Sequence, residues 1–196
     1  MAVQNDGPAG VVALAASRGG FGALSQTLGG LPATFAAAVV VVQHLPSGYK
    51  SLLPESLGRR TRLVVKEAEE GDCLRPGCVF IAPPHRHLLV NPGGTLSLSG
   101  SAKVHHARPS ADPLFSSVAA SFGDKVVAVV LTGGDSDGSG GVRAVKAAGG
   151  TVIAQDERTC EDFSMPREAI ATGCVDMVLA LEDIAPVLVG LVGKWA

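Results

Sequence analysis

The sequence predicts a doubly wound α/β fold: a mostly parallel sheet with helices on both faces and one short antiparallel hairpin. Three features carry that expectation. Apolar, Val-rich runs at Val11–Ala16, 36–43 and 125–131 have no polar alternation, the pattern of strands buried on both faces. Two of them stop at glycine-rich turns, Ser17-Arg18-Gly19-Gly20 and 132–141, beyond which apolar residues recur at helical spacing. Strand and helix patterns then alternate to the C-terminus, which the right-handed crossover rule turns into a parallel sheet.

Taken in order, the first strand and its turn lead into a helix with Phe21, Leu24 and Leu28 on one face, ended by Leu31-Pro32. A second strand at 36–43 ends at His44, and the turn residues Leu45-Pro46-Ser47-Gly48 precede a short helix carrying Leu52, Leu53, Ser56 and Leu57 up to Gly58. A third strand is expected at 62–65. The segment 66–98 changes rhythm. It holds an apolar run at 78–82 and a hairpin of 88–90 with 95–98 across Asn91-Pro92-Gly93-Gly94, and reads as antiparallel or irregular trim on the main sheet. Helix 112–122, strand 125–131, a helix after the glycine loop, strand 151–155, helix 166–172 capped by Ser164, strand 175–179 and helix 182–192 complete the chain.

With 196 residues and 46% hydrophobic content the chain can bury one core, and no shift in composition marks a second. The expectation is one domain over 1–196 with a tail at 1–10. A net charge of -2, no basic run and 4% aromatics argue against nucleic acid. The N-terminus has no basic leader and no apolar run is long enough to span a bilayer, so a cytoplasmic protein without direct membrane insertion is expected. Cys73, Cys78, Cys160 and Cys174 form no Cys-x-x-Cys pair and read as reduced thiols. A zinc set from Cys73, Cys78, His85 and His87 fits no common structural spacing.

Three strand ends each present one reactive group: Ser17, His44 and Asp137. Parallel strands end on one edge of the sheet, so residues remote in sequence meet there, as a Ser–His–Asp triad requires. Ala15-x-Ser17-x-Gly19 approaches a nucleophile elbow, with Ala in place of its first glycine. Each residue also has a plainer reading: Ser17 or Asp137 as a helix N-cap, His44 as a lone satisfied histidine. Nucleotide binding is poorly served, because Gly19-Gly20-Phe21-Gly22 has the wrong spacing for a dinucleotide fingerprint and the lysine of a P-loop is missing.

Six blocks in one order extend the pattern: 15–20, 42–46, 80–83, 108–115, 131–138 and 165–169. Together they resemble the catalytic domain of chemotaxis receptor methylesterases, the CheB-like family, over nearly the whole chain. The resemblance implies hydrolysis of glutamate methyl esters on cytoplasmic helices of methyl-accepting receptors, with methanol released and no metal or organic cofactor. It assigns Ser17 as nucleophile, His44 as base and Asp137 as the orienting acid, with backbone N–H groups of Arg18 and Gly134 as the oxyanion hole. It also places Arg108, Ser110 and Asp112 in a block suited to substrate contact. Related alternatives are deamidation of a glutamine side chain and a module that binds methylated helices without turnover. Family members usually carry an N-terminal receiver, and only 1–10 precede the first strand here, so no receiver is expected. Ala15 stands where the family has Gly, Arg18 where a small residue is usual, and Gly134-Asp135-Ser136 where Met-Gly-Asn is typical; Asp135 thereby rivals Asp137 for the acid's place, the family register favours Asp137, and Asp135 is left to turn outward or to pair with Arg18.

Overall fold

The computed structural model describes residues 7–44 and 52–195. The turn expected at 45–48 lies outside the described residues. In chain order the elements are β1 (Val11–Ala16), α1 (Gly20–Gly29), β2 (Ala38–Gln43), α2 (Leu53–Gly58), β3 (Val64–Glu67), β4 (Cys78–Ile81), β5 (His87–Val90), β6 (Leu96–Ser99), α3 (Ala111–Phe122), β7 (Val126–Val130), α4 (Ser139–Ala147), β8 (Thr151–Gln155), α5 (Ser164–Ala171), β9 (Met177–Leu179) and α6 (Leu181–Val192). Seven strands form one sheet in the order β3-β4-β2-β1-β7-β8-β9, parallel throughout. The order reverses at β1, which pairs with β2 on one side and β7 on the other. That reversal opens a crevice at the carboxyl ends of these strands.

β1 is the centre of the molecule. All its residues are buried, and their alternation divides the core in two. Val11, Ala13 and Ala15 face the side packed by Phe115 and Val118 of α3 and Val142 of α4. Val12, Leu14 and Ala16 face Leu24 of α1 and Ile184 and Leu188 of α6. A strand buried on both faces needs apolar residues at every position, which is why its sequence lacks alternation.

The hairpin of β5 and β6 is antiparallel and forms its own two-stranded sheet, as expected. The reading of 66–98 as trim was too broad. β4 lies inside the parallel sheet between β3 and β2, where its buried Val79, Phe80 and Ile81 require cover on both faces. β3 starts two residues later than the expected strand at 62–65, because Thr61 Oγ1 turns back to the Leu28 carbonyl and accepts from Leu63 N. Ser164 is not the cap of α5. It lies in the first turn and donates from Oγ to Asp162 Oδ1 (2.8 Å), while Phe163 stands at the cap position. Among the described residues no helix is long and apolar enough to cross a membrane.

α3 and α4 pack closely because Gly141 has no side chain. A Cβ there would lie 2.6 Å from Phe115 Cβ and 3.2 Å from Asp112 Cα. The contact also brings Asp112 Oδ1 to accept from Gly141 N (2.6 Å) at the start of α4. Gly141→Ala is therefore expected to destabilise the fold by about 1–3 kcal/mol through overpacking. A urea midpoint that falls at unchanged slope would register it; an unchanged midpoint would mean the helices separate freely.

Candidate active site

Ser17 stands one residue beyond β1, with its N–H donating to the Thr132 carbonyl (3.0 Å) across the crevice. It does not cap α1: the cap position is Gly19, at φ 73, with no side-chain cap bond. Its hydroxyl has no hydrogen bond to any described residue, although the backbone around it is fixed. Gln43 Nε2 donates to both the Ser17 carbonyl (2.7 Å) and the His44 carbonyl (2.9 Å), tying the ends of β1 and β2 together. Gly20 makes room for this tether, since a Cβ there would lie 2.0 Å from Gln43 Oε1. Gly133 likewise cannot carry a side chain, because a Cβ would lie 2.1 Å from Met165 Sδ and 2.9 Å from Ser17 Cβ.

His44 and Asp137 meet as the strand-end argument requires. His44 donates from Nε2 to Asp137 Oδ2 at 2.8 Å. Asp137 is a cap, but of a different helix from the one it precedes: Oδ2 accepts from Ala111 N (2.6 Å) and Oδ1 from Asp112 N (3.2 Å), at the start of α3. Ser110 Oγ (2.6 Å) and Gly138 N (2.9 Å) also donate to Oδ1. Burial raises the proton affinity of Asp137, but the bonds from His44, Ser110 and Ala111 outweigh it and hold the carboxyl below the usual carboxylate range.

Asp135 occupies the other ring nitrogen, accepting from His44 Nδ1 at Oδ2 (2.9 Å). A neutral imidazole has one N–H, so two carboxylate acceptors describe an imidazolium. Burial lowers the pKa of His44, but the hydrogen bonds and charges of Asp135 and Asp137 prevail and raise it to about 9. Arg18 does not neutralise Asp135; it pairs with Asp162 at 3.5 Å.

The N–H groups of Arg18 and Gly134 have no acceptor among the described residues. Gly134 is exposed, with Asp162 Oδ2 2.8 Å from where its Cβ would be, so the Arg18 charge offsets a carboxylate close to this loop. The expected substrate-contact block behaves differently. Ser110 is fully buried beneath Asp137, and Asp112 accepts from Gly141 N and from His105 Nε2 (3.0 Å), so both support the loop from behind. Arg108 does line a cleft, yet its Nη1 donates to the carbonyls of Gly100 (2.9 Å) and Ser101 (2.7 Å). Cys160 is no rival nucleophile, since burial pushes its thiol up to about 12.

Ser17 and His44 lie between two clefts and line both. One, of about 510 Å³, has Asp135, His85, Lys103, His105, His106 and Arg108 on its walls. The other, of about 640 Å³, is walled by Arg18 to Gly22, Leu53 and Glu161. Gly134 lines neither. Sequence reasoning missed Gln43, and it sets Asp135 against Asp137 as rivals for the acid's place where the structure puts both on His44. A polar residue closing the otherwise apolar run of β2, and a second acid two residues before Asp137, were the available signals.

The class these features define is a doubly wound α/β domain with a serine and a histidine–carboxylate pair at the switch point of its sheet, the arrangement used by serine hydrolases. The CheB methylesterase family profile matches residues 12–188, and the chain belongs to that family. A protein-glutamate methylesterase/protein-glutamine glutaminase of Moorella thermoacetica is 45% identical over 186 residues, 93% of this chain and 44% of that protein. One from Pseudomonas putida is 41% identical over 183 residues, 93% of this chain and 49% of that one. The chain thus spans about half the length of the curated relatives it matches. The crystal structure of the Thermotoga maritima CheB methylesterase catalytic domain superposes with a TM-score of 0.89 at 39% identity, covering 93% of this chain and 98% of that one.

A folded pKa of about 9 against an ordinary 6.5 means that His44 stabilises the fold fully below about pH 6.5 and ceases to do so as pH rises through about 9. The contribution is on the order of 3 kcal/mol. Wild type is therefore expected to melt well above His44→Gln near pH 6, with the gap narrowing by about pH 10. A gap that widens with pH would contradict the doubly bonded imidazolium.

Proposed function

We propose that the chain hydrolyses glutamate methyl esters on cytoplasmic helices of methyl-accepting receptors, releasing methanol, with Ser17 as nucleophile, His44 as base and Asp137 as the orienting acid. One observation carries the reading: a serine whose hydroxyl has no partner among the described residues, beside a histidine bonded to a buried aspartate, in a member of the CheB methylesterase family.

In this reading Ser17 Oγ attacks the ester carbonyl carbon while its proton passes to His44. Asp137 holds Nε2, so Nδ1 is the nitrogen that takes the proton, once it has lost its own and parted from Asp135. The carbonyl oxygen becomes an oxyanion met by the N–H groups of Arg18 and Gly134, which have no acceptor among the described residues and can strengthen their bonds as charge develops. The proton on Nδ1 is then given to the departing methoxide oxygen, and methanol leaves a glutamyl ester on Ser17. Water, deprotonated by Nδ1, attacks that ester and restores Ser17, releasing the glutamate carboxylate. Asp137 stays ionised throughout and stabilises the imidazolium of each step. The cleft walled by Leu53 and the glycines of 19–22 gives an extended partner a path past Ser17.

The relatives' names carry a second reaction, glutamine deamidation, and the same site supports it. Protonated Nδ1 would then give its proton to the departing amide nitrogen, which leaves as ammonia in place of methanol. Methanol and ammonia measured from the same methylated and unmethylated receptor fragments separate the two.

Ser17→Ala is expected to lower methanol release by about 10³-fold or more with the melting temperature nearly unchanged, because the hydroxyl bonds no described residue. Asp137→Asn is expected to lower kcat severely as well. Unaltered methanol release from Ser17→Ala would overturn the reading.

A further inference from the structure

A histidine has two ring nitrogens, and here both are taken. Asp137 holds Nε2 at 2.8 Å and Asp135 holds Nδ1 at 2.9 Å, so the one nitrogen left for Ser17 is filled by a carboxylate. The two acids are held very differently. Asp137 has a fully buried side chain and accepts from Ser110, Ala111, Asp112 and Gly138 besides His44. Asp135 has a side chain 35% exposed, lines the cleft with Ser17, and among the described residues is anchored, apart from His44, only by accepting from Asp137 N at 3.0 Å. The glycines at 133, 134 and 138 flank it in the loop. Asp137 is held on every side; Asp135 has fewer bonds and reaches solvent.

We propose that Asp135 is a positioning residue that competes with Ser17 for Nδ1 of His44, holding the histidine out of catalysis until an ester-bearing segment entering the cleft displaces it. The proposal rests on the methylesterase reading above. When the carboxylate leaves, Nδ1 gives its proton to solvent and becomes the acceptor that the Ser17 hydroxyl needs. A carboxylate swung into the cleft meets a basic wall: His85 from the β4–β5 connection, and Lys103, His105, His106 and Arg108 from the β6–α3 connection. Lys103 forms no ion pair among the described residues, so its charge is available, while His105 is already paired with Asp112. On the other side of His44 the charged groups are Arg18 and Glu161, and Arg18 is paired with Asp162. Among the described residues no cation other than His44 pairs with Asp135, and the carboxylate rests there.

The consequence is a pH window set by a residue outside the triad. While Asp135 is bonded, activity against a small ester should rise with pH into the alkaline range where His44 loses its proton. Replacing Asp135 moves that rise toward neutrality, and each unit of movement gives about tenfold more neutral base at pH 7.

The test uses Asp135→Asn and Asp135→Gly, checked for wild-type melting, with p-nitrophenyl acetate turnover followed against pH and the His44 ring followed by NMR. The two substitutions guard against an asparagine that bonds Nδ1 itself. The expected result is a His44 titration midpoint at least one unit lower than wild type, with the acid limb of kcat/KM shifted by the same amount and turnover near pH 7 raised about tenfold. An unchanged midpoint and limb would overturn the proposal, as would folded variants inactive at every pH, which would make Asp135 the working acid. If the midpoint falls while no form of the protein turns over any ester, the Asp135 bond stands and the methylesterase reading fails.

Discussion

The carboxylate of Asp137 is buried, and the local architecture is arranged around satisfying it. An ionised group without partners in such a place would cost several kcal/mol or change its protonation. Instead it sits on the amino end of α3, where Ala111 and Asp112 present N–H groups and the helix dipole favours negative charge. Ser110 completes the set from below and His44 from the cleft. Asp112 in turn accepts from Gly141 at the start of α4, so two of the helices on this face of the sheet, α3 and α4, are each capped by a residue from outside the helix. The same bonds that seat α3 against α4 therefore fix the direction in which His44 points.

The parallel sheet supplies the other half of the arrangement. β2, β1 and β7 are neighbours in register, so Ser17, His44 and the 132–138 loop emerge side by side without any of them being near in sequence. Gln43 then fastens two of those ends, and the bare Cα atoms of Gly20 and Gly133 let the turns close to contact distance. Precision at the site comes from backbone held by the sheet, while Asp135 is partly exposed and held by fewer bonds than Asp137. A buried acid and a partly exposed one thus flank the same imidazole, one on each ring nitrogen.

Much of this was legible in the sequence, and the failures have physical causes. Continuous apolar runs identified β1, β2 and β7 because burial on both faces leaves no polar position, and glycine-rich turns at two of their ends pointed to Ser17 and Asp137. β4 was harder to place, since a four-residue strand between turn signals looks the same whether it joins the main sheet or trims it. The roles of Ser110 and Asp112 were not legible: a motif shows which residues occur together, but their bonds run to positions 27 and 29 residues away. Asp135 was visible as a second acid, yet only the three-dimensional structure shows that it faces His44 and that Arg18 is engaged elsewhere.

The central claim is that the ends of three parallel strands assemble one reactive serine at position 17. It is tested most directly by treating the protein with a small serine-directed phosphonate across the pH range and mapping the modified residue by mass spectrometry. The account predicts a single stoichiometric adduct on Ser17, formed faster as pH rises through the range where His44 gives up its proton, and lost when His44 is replaced. An adduct on another residue, or none on Ser17 at any pH in a folded protein, would contradict it.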